Sequence, residues 1–148
     1  MHRSAVDLLK ELWARTEAGD DSAFAELVAD SLVNHAAGPQ GLAGLRAVLE
    51  VVRQDLGDPR PEHHGMFGSG SVATHHVTLH GTHVGSTMPL LQGVEVTGRG
   101  VAWTYIHIWR SSDGQLAEHW ACRDDVGLLA QLGAWPPAQG STGEEVRL

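Results

Sequence analysis

This chain of 148 residues has one cysteine, no long apolar run and very little lysine. Cys122 cannot form a disulfide within the chain, which agrees with a reducing compartment. No apolar stretch approaches the roughly 20 residues that span a bilayer. The N-terminus lacks the apolar core and the cleavage site of a signal peptide. We therefore expect a cytoplasmic protein with no membrane partner.

Positive charge is scarce. Ten Lys and Arg residues stand against eighteen Asp and Glu residues, which gives a formal net charge of −8, and Lys10 is the single lysine. A nucleic acid would meet net repulsion and no basic run, so we expect no nucleic-acid partner. The residue in excess is histidine, with ten copies, and imidazole is the side chain that titrates near neutral pH.

Helical periodicity dominates the first 57 residues. Ser4 and Asp7 have the pattern of a helix start, and the apolar spacing that follows predicts a helix over about 4–18. A shorter helix is expected after the turn at 19–22, and then a break at 33–38. A third amphipathic helix is predicted over 40–56, before Gly57 and two prolines.

Beyond residue 62 the pattern alternates, which is typical of antiparallel strands. The clearest strands are predicted at about 71–82, 95–110 and 115–123, followed by a short helix that ends at Leu132. Helices first and strands second indicate an α+β domain over residues 1–135, with helices packed on one face of a curved antiparallel sheet. Residues 136–148 are expected to be a flexible tail.

The turn at 112–114 allows the side chains of the last hairpin to be paired. A loop of three residues places His107 opposite His119. A loop of two residues shifts the register by one and pairs His107 with Glu118 instead. We expect the first arrangement.

Strand alternation then predicts which residues share a face with His107 and His119. Tyr105 and two tryptophans, Trp103 and Trp109, lie on that face, together with the small residues Ala117 and Ala121. Convergent polar groups around small residues are typical of a pocket for a small molecule. On residue types alone, satisfied core histidines are the alternative interpretation.

Four further residues are candidates for the lining of this pocket. The 84–98 segment is rich in glycine yet contains Met88 and Leu91, which suggests a lid or a pocket rim, with packing on the domain edge as the alternative. From the helical layer, His35 and Trp13 are secondary candidates.

No metal or cofactor is expected. Pairs such as His63-His64 are adjacent in sequence and point to opposite faces of a strand. His76 and His80 share a face but lie about 13 Å apart at ~3.3 Å per residue, which is too far for one ion. The chain also lacks a phosphate-binding loop, a dinucleotide fingerprint and a nucleophile elbow.

An ordered series of short motifs covers residues 4–133: Asn34-His35, Gly41-Leu42, Gly81-Thr82-His83-Val84-Gly85, Thr97-Gly98-Arg99, His107, Arg110, Asp113-Gly114, Glu118-His119-Trp120, Asp124 and Gly127-Leu128-Leu129. Together they resemble the SnoaL-like polyketide cyclase family of the nuclear-transport-factor-2-like superfamily. The resemblance implies a cone-shaped α+β fold with a deep pocket between helices and sheet. It also implies a homodimer built through the sheet, where Ile106 and Trp120 offer an apolar surface.

The resemblance further implies cofactor-free ring closure by intramolecular aldol condensation. In the family, a carboxylate removes a proton made acidic by carbonyl groups, while a histidine and an amide two residues before it hold the enolate oxygen. These positions fall on Ala121, His107 and Tyr105. Because alanine cannot accept a proton, three alternatives stay open: His119 is the base, the reaction differs, as in a hydroxylation component or an isomerase, or the pocket only binds its ligand.

We expect an enzyme that acts on a hydrophobic, oxygen-rich, polyketide-type intermediate by enolisation and ring closure or rearrangement. His107 would polarise or protonate the oxygen, His119 would move the proton, and Tyr105 would donate a hydrogen bond. Trp103 and Trp109 would line the pocket.

Overall fold

The first helix begins where the sequence predicts it. In the computed structural model, which describes residues 2–138, the Ser4 side chain accepts a hydrogen bond from the amide of Asp7, and the Asp7 carboxylate accepts one from the amide of Ser4. This reciprocal cap satisfies amides that have no partner within the helix. The elements follow in the order α1 (Ala5–Glu17), α2 (Ser22–Leu27), β1 (Val28–Asn34), α3 (Gly41–Asp55), β2 (Leu56–Ser69), β3 (Val72–His83), a 3-10 turn (Pro89–Leu91), β4 (Gly100–Ser112), β5 (Gln115–Arg123) and α4 (Asp125–Gln131).

One sheet contains all five strands, in the order β1-β5-β4-β3-β2. The α+β prediction is confirmed, but the prediction of an all-antiparallel sheet is wrong, because β1 pairs with β5 in parallel. The sequence gives no sign of β1. Only Val28 and Leu32 of its seven residues are buried, Asp30 between them is exposed, and the pairing with β5 shifts register between Val28 and Val33, so the strict alternation that marks a strand is absent.

Strand β2 also follows a helix without a separating loop. The prolines at 59 and 61 were expected to mark only the end of the third helix, yet both lie within β2. Proline is tolerated there because β2 is an edge strand and its pairing with β3 is irregular between Gly57 and Arg60.

The loop before β4 is anchored at its start. The buried carboxylate of Asp55 accepts hydrogen bonds from the amides of Thr87 and Met88 and from the Thr87 hydroxyl. A Cβ at Gly85 would lie 2.8 Å from a carboxylate oxygen of Asp55, so only glycine fits at this approach. Met88 and Leu91 are buried in the core. The segment therefore packs on the domain, which favours the second of the two expectations for it, and β4 begins at Gly100 rather than at 95.

Two apolar clusters fill the space between the helices and the sheet. The first joins α1, α2 and Trp109, and the second joins the start of β2, the 88–91 turn, Trp103 and α4. Along β4, His107 lies between Trp103 of the second cluster and Trp109 of the first. The boundary between the clusters is therefore a band of polar rings inside an apolar interior.

The opposite face of the sheet carries exposed apolar side chains, among them Phe67, Ile106 and Ile108. That a second copy of the chain covers this face stays a prediction. None of the helices within residues 2–138 is long and apolar enough to cross a bilayer. Of the predicted tail, residues 139–148 lie outside the described residues.

Candidate active site

The last hairpin has a turn of two residues rather than three. Asp113 and Gly114 both have positive φ, 52° and 76°, and Ser112 pairs with Gln115. Positive φ at both central residues is what a type I′ turn requires. The expected loop of three residues is therefore wrong. The pairing of His107 with Glu118 expected for a two-residue loop is wrong as well, because Ser112 opposite Gln115 leads to Trp120 opposite His107 when no further shift intervenes.

A second shift follows one step further along the hairpin, between Arg110 and Ser111. As a result, His107 lies opposite Ala121, and the predicted pairing of His107 with His119 is wrong. The prediction that both rings share one face is confirmed. Two shifts of one residue add to two, and a shift of two residues returns each side chain to its original face.

The two imidazoles are joined diagonally across the strands. Nδ1 of His107 lies 2.8 Å from Nε2 of His119, and Nδ1 of His119 lies 2.9 Å from Oδ1 of Asn34. The same Asn34 oxygen accepts a hydrogen bond from the backbone amide of Ala36, at 3.0 Å. An amide N–H can only donate, so this contact identifies the Asn34 atom as the oxygen rather than the nitrogen.

The direction of the hydrogen bonds follows from that oxygen. Nδ1 of His119 must donate to Asn34, so the Nε2 of neutral His119 carries a lone pair and accepts from Nδ1–H of His107. Nε2 of neutral His107 is then unprotonated. Among the described residues it has no hydrogen-bond partner, and it is not one of the fully covered polar atoms. A basic nitrogen is therefore open to a ligand.

Asn34 belongs to the Asn34-His35 motif but was not a predicted site residue, although its neighbour His35 was. Asn34 pairs with His119 between β1 and β5, and the Gln40 side chain bonds both its backbone N–H and its carbonyl. His35 lies on the other face of the sheet, where its ring stacks on Trp120 and its Nε2 bonds a carboxylate. The structure does not bring His35 together with His107.

A second imidazole chain lies on the neighbouring strands. Nε2 of His63 lies 2.5 Å from Oε1 of Glu17, and Nδ1 of His63 lies 2.8 Å from Nε2 of His75. His75 is 0% exposed and lies directly opposite His107 in the β3–β4 register, with ring centroids 6.1 Å apart. The sequence signal for this pair was the two histidine doublets, at 63–64 and 75–76. Side chains alternate along a strand, so each doublet places one ring on the inner face of the sheet and one on the outer face.

Hydrogen bonds, rather than a metal, join these rings. Within each chain the facing nitrogens are 2.8 Å apart, whereas two nitrogens on a tetrahedral zinc ion, at ~2.0 Å each, stand about 3.3 Å apart. Within residues 2–138, no three His, Cys, Asp or Glu side chains are grouped so as to hold an ion.

All three inner imidazoles are neutral at pH 7. Burial lowers the pKa of His75 and of His119 to about 4, and it lowers the pKa of His107 to about 3. For His107 the imidazole of His119 adds to the effect of burial, and for His75 the imidazole of His63 does so. The cause is that a charged ring loses its hydration between the two apolar clusters.

Unpartnered polar atoms concentrate around His107. Tyr105 Oη, Trp109 Nε1 and His75 Nδ1 are covered and have no hydrogen-bond partner among the described residues. Their rings lie 5.3, 6.4 and 6.1 Å from the His107 ring. Each unpartnered atom lowers the stability of the folded protein by about 1–3 kcal/mol. A cluster of such atoms is expected where a ligand supplies the missing partners. Burial raises the pKa of Tyr105, so its hydroxyl keeps its proton and can donate.

The remaining predicted residues fall into two groups. Trp13 lies edge-on to His63 and His75, at 4.9 and 5.2 Å between ring centroids, and so belongs to the second imidazole chain. Trp103, Met88 and Leu91 are buried in the second apolar cluster beside the polar band. As substrate contacts these residues stay predictions.

The expected deep pocket does not coincide with either of two surface cavities. These cavities, of about 510 and 350 Å³, lie elsewhere, one between the 92–97 loop and the segment 132–138, and one beside Gly70 and Asp113. At the polar band, Tyr105, His107 and Ala121 are part-exposed, and Arg123 beside them is exposed. These part-exposed residues beside His107, called the recess below, are where a ligand can approach the ring.

Comparison with known proteins identifies the fold. The model of the family described as "SnoaL-like polyketide cyclase" matches residues 3–132. The chain belongs to the SnoaL-like polyketide cyclase family. Aklanonic acid methyl ester cyclase DauD of Streptomyces sp. (strain C5) is 26% identical over 144 residues, which cover 91% of this chain and 86% of that protein.

Other similar proteins support the assignment to this family. Aklanonic acid methyl ester cyclase DnrD of Streptomyces peucetius is 37% identical over 65 residues, covering 43% of this chain and 42% of that protein. Among solved structures, IdmH of Streptomyces antibioticus is 27% identical with a TM-score of 0.73, covering 88% of this chain and 99% of that one. TsrD of Streptomyces laurentii is 26% identical with a TM-score of 0.75, covering 90% and 98%. The predicted SnoaL-like fold is confirmed.

The buried neutral histidines predict acid sensitivity. Their pKa values are lower in the folded than in the unfolded chain, so below the unfolded value of about 6.5 the unfolded chain binds more protons. The contribution of these histidines to the free energy of unfolding is therefore at its maximum above pH 6.5. It falls as the pH decreases from about 6.5 to about 4. Each histidine contributes a slope of up to ~1.4 kcal/mol per pH unit.

Urea unfolding at several pH values measures this slope. The His75→Phe variant should lower it by about a third, because one of three titrating rings is removed. His2→Gln, at an exposed position, is the control and should leave it unchanged. Equal slopes in wild type and His75→Phe would show that His75 binds protons equally in both states.

Proposed function

We propose that this SnoaL-like protein closes a ring in a polyketide-type intermediate by acid–base catalysis without a cofactor. The observation that supports it best is the chain of hydrogen bonds from Asn34 through His119 to His107, which leaves Nε2 of His107 as an available base. Ala121 lies directly opposite His107. The space that a carboxylate would occupy there is left to the substrate and the imidazole.

The reaction is balanced in atoms and electrons. A C–H bond next to carbonyl groups breaks, and its proton forms an N–H bond at Nε2 of His107. The resulting enolate carbon attacks a second carbonyl of the same molecule, a C–C bond forms, and the alkoxide recovers a proton from the imidazolium. The product is an isomer of the substrate, so no oxidant, reductant or leaving group is required.

This proposal reverses the roles expected for the two rings. His119 uses both nitrogens, one with Asn34 and one with His107, so it holds its neighbour and does not meet the substrate. His107 takes the proton. Tyr105, whose ring lies 5.3 Å from that of His107, donates its hydroxyl hydrogen bond to the enolate oxygen.

The low pKa of His107 favours the return of the proton, and the charge of the enolate offsets it when the proton is removed. At neutral pH the ring is in its basic form. When an enolate forms beside it, the negative charge raises the pKa of the imidazolium. When that charge is consumed by ring closure, the imidazolium is again a strong acid and returns its proton.

The direct test uses aklanonic acid methyl ester, the compound named for the two curated relatives. We expect wild-type protein to convert it into a ring-closed isomer of equal mass. Chromatography with mass detection measures this conversion. His107→Ala should lower kcat at least about 100-fold, because general acid–base catalysis supplies about 10² to 10⁴.

His76→Ala is the matched control, since it removes an imidazole from the other face of the same sheet and should leave kcat within twofold of wild type. Tight binding with the compound returned unchanged would indicate a binding domain instead. Oxygen consumption that depends on a second protein would indicate a hydroxylation component. Equal turnover by wild type and His107→Ala would contradict the proposal.

Tyr105→Phe should separate a catalytic from a structural hydroxyl. Because Oη is covered and has no partner among the described residues, its removal should raise the free energy of unfolding by about 1 kcal/mol. The same change should lower kcat about 100-fold, since it removes a donor to the enolate oxygen.

Urea unfolding and turnover are measured on the same preparation. Thr104→Val, the matched control, removes a hydroxyl that does have a partner, Thr78 at 2.8 Å. It should lose stability and keep its kcat. A Tyr105→Phe variant that is less stable and fully active would assign the phenol a structural role.

A further inference from the structure

The two imidazole chains end in different chemical groups. The chain through His119 ends at the amide oxygen of Asn34, which accepts a hydrogen bond but does not take up a proton near neutral pH. The chain through His63 ends at the carboxylate of Glu17, which does take up protons. The Glu17 side chain is 47% exposed, whereas His75 at the inner end is 0% exposed. Only the second chain therefore connects the interior to the solvent through groups that each exchange a proton.

The tautomers of this chain follow from the carboxylate. Ionised Glu17 only accepts, so Nε2 of His63 donates to it, and the Nδ1 of His63 accepts from Nε2–H of His75. Nδ1 of His75 then carries a lone pair. That atom is covered and has no partner among the described residues, which marks it as an acceptor that lacks its donor.

We propose that Glu17, His63 and His75 form a proton relay that accepts the proton of a ligand hydroxyl in the recess and carries it to the protein surface. The inference rests on the proposed function for the position of the ligand beside His107. It assigns His75 as a second proton acceptor of the site, distinct from Nε2 of His107.

Three transfers complete the relay. The ligand O–H bond breaks and an N–H bond forms at Nδ1 of His75. The proton on Nε2 of His75 moves to Nδ1 of His63, and the proton on Nε2 of His63 moves to Glu17. Both rings end neutral, one negative charge moves from the carboxylate to the ligand oxygen, and water then removes the proton from the exposed carboxyl group.

The relay specifies the class of ligand. The ligand must carry a hydroxyl acidic enough to lose its proton, which means a phenol or an enol. The resulting oxyanion would lie among the only two unpartnered donors of the described core, Tyr105 Oη and Trp109 Nε1. Because Nδ1 of His75 and both donors are covered in the free protein, the relay requires covering side chains to move when the ligand binds.

The test uses 4-nitrophenol, which is colourless when neutral and yellow when ionised. At a pH below the ordinary pKa of this probe, saturating wild-type protein should turn it yellow. Glu17→Gln keeps an oxygen that accepts from His63 but cannot take its proton. This variant should bind the probe and ionise it at least tenfold more slowly, as measured by the rate at which the colour appears after mixing.

Glu11→Gln, on the same helix but paired with Arg3 and Arg15, is the matched control and should ionise the probe as wild type does. His107→Ala should also keep the yellow colour while losing turnover, so a failure of the relay and a failure of the proposed function give different results. A colourless probe with saturating wild-type protein, a wild-type rate of ionisation in Glu17→Gln, or colour lost only in His107→Ala would overturn the relay.

Discussion

One amide oxygen sets the direction of the hydrogen bonds at the centre of this site. Because Oδ1 of Asn34 accepts from the amide of Ala36, it must also accept from His119, and each ring further along must then donate towards Asn34. The end of the chain is an unprotonated nitrogen on His107. A side chain on the edge strand β1 thereby decides the protonation pattern of a ring on the central strand β4.

Burial and hydrogen bonding act together on these rings. The two apolar clusters on either side of the polar band disfavour the charged imidazolium, and the hydrogen-bond chains give each neutral ring a defined tautomer. The band costs folding free energy, because three polar atoms near His107 lack partners. A site that is destabilised in this way while its surroundings are well packed is typical of a protein whose ligand completes its hydrogen bonds.

The fold was largely predictable from local patterns, and the site only in part. Capping and apolar spacing predicted the first and third helices, because these signals lie within one element. The strand β1 was not predictable, since Asp30 interrupts the alternation of buried and exposed residues and the pairing with β5 shifts register. The shared face of His107 and His119 was predicted correctly although their pairing was not. The face of a side chain changes only when the register shifts by an odd number of residues, and two single shifts add to an even number.

The contacts that complete the site come from distant parts of the chain. Glu17 and His63 are 46 residues apart, and Asn34 and His119 are 85 apart. Nothing in the local pattern of a histidine doublet indicates which carboxylate or amide will meet it. Such pairs depend on how strands and helices assemble, and the parallel pairing of β1 with β5 was absent from the expected sheet.

The central claim is that His107 is neutral and carries its proton on Nδ1. Long-range ¹H–¹⁵N correlation spectra of protein labelled with ¹⁵N-histidine measure this directly, because protonated and unprotonated ring nitrogens differ strongly in ¹⁵N shift. At pH 7 the account predicts a protonated Nδ1 and an unprotonated Nε2 for His107, with the same tautomer for His119. A proton on Nε2 of His107, or an imidazolium at that position, would contradict it.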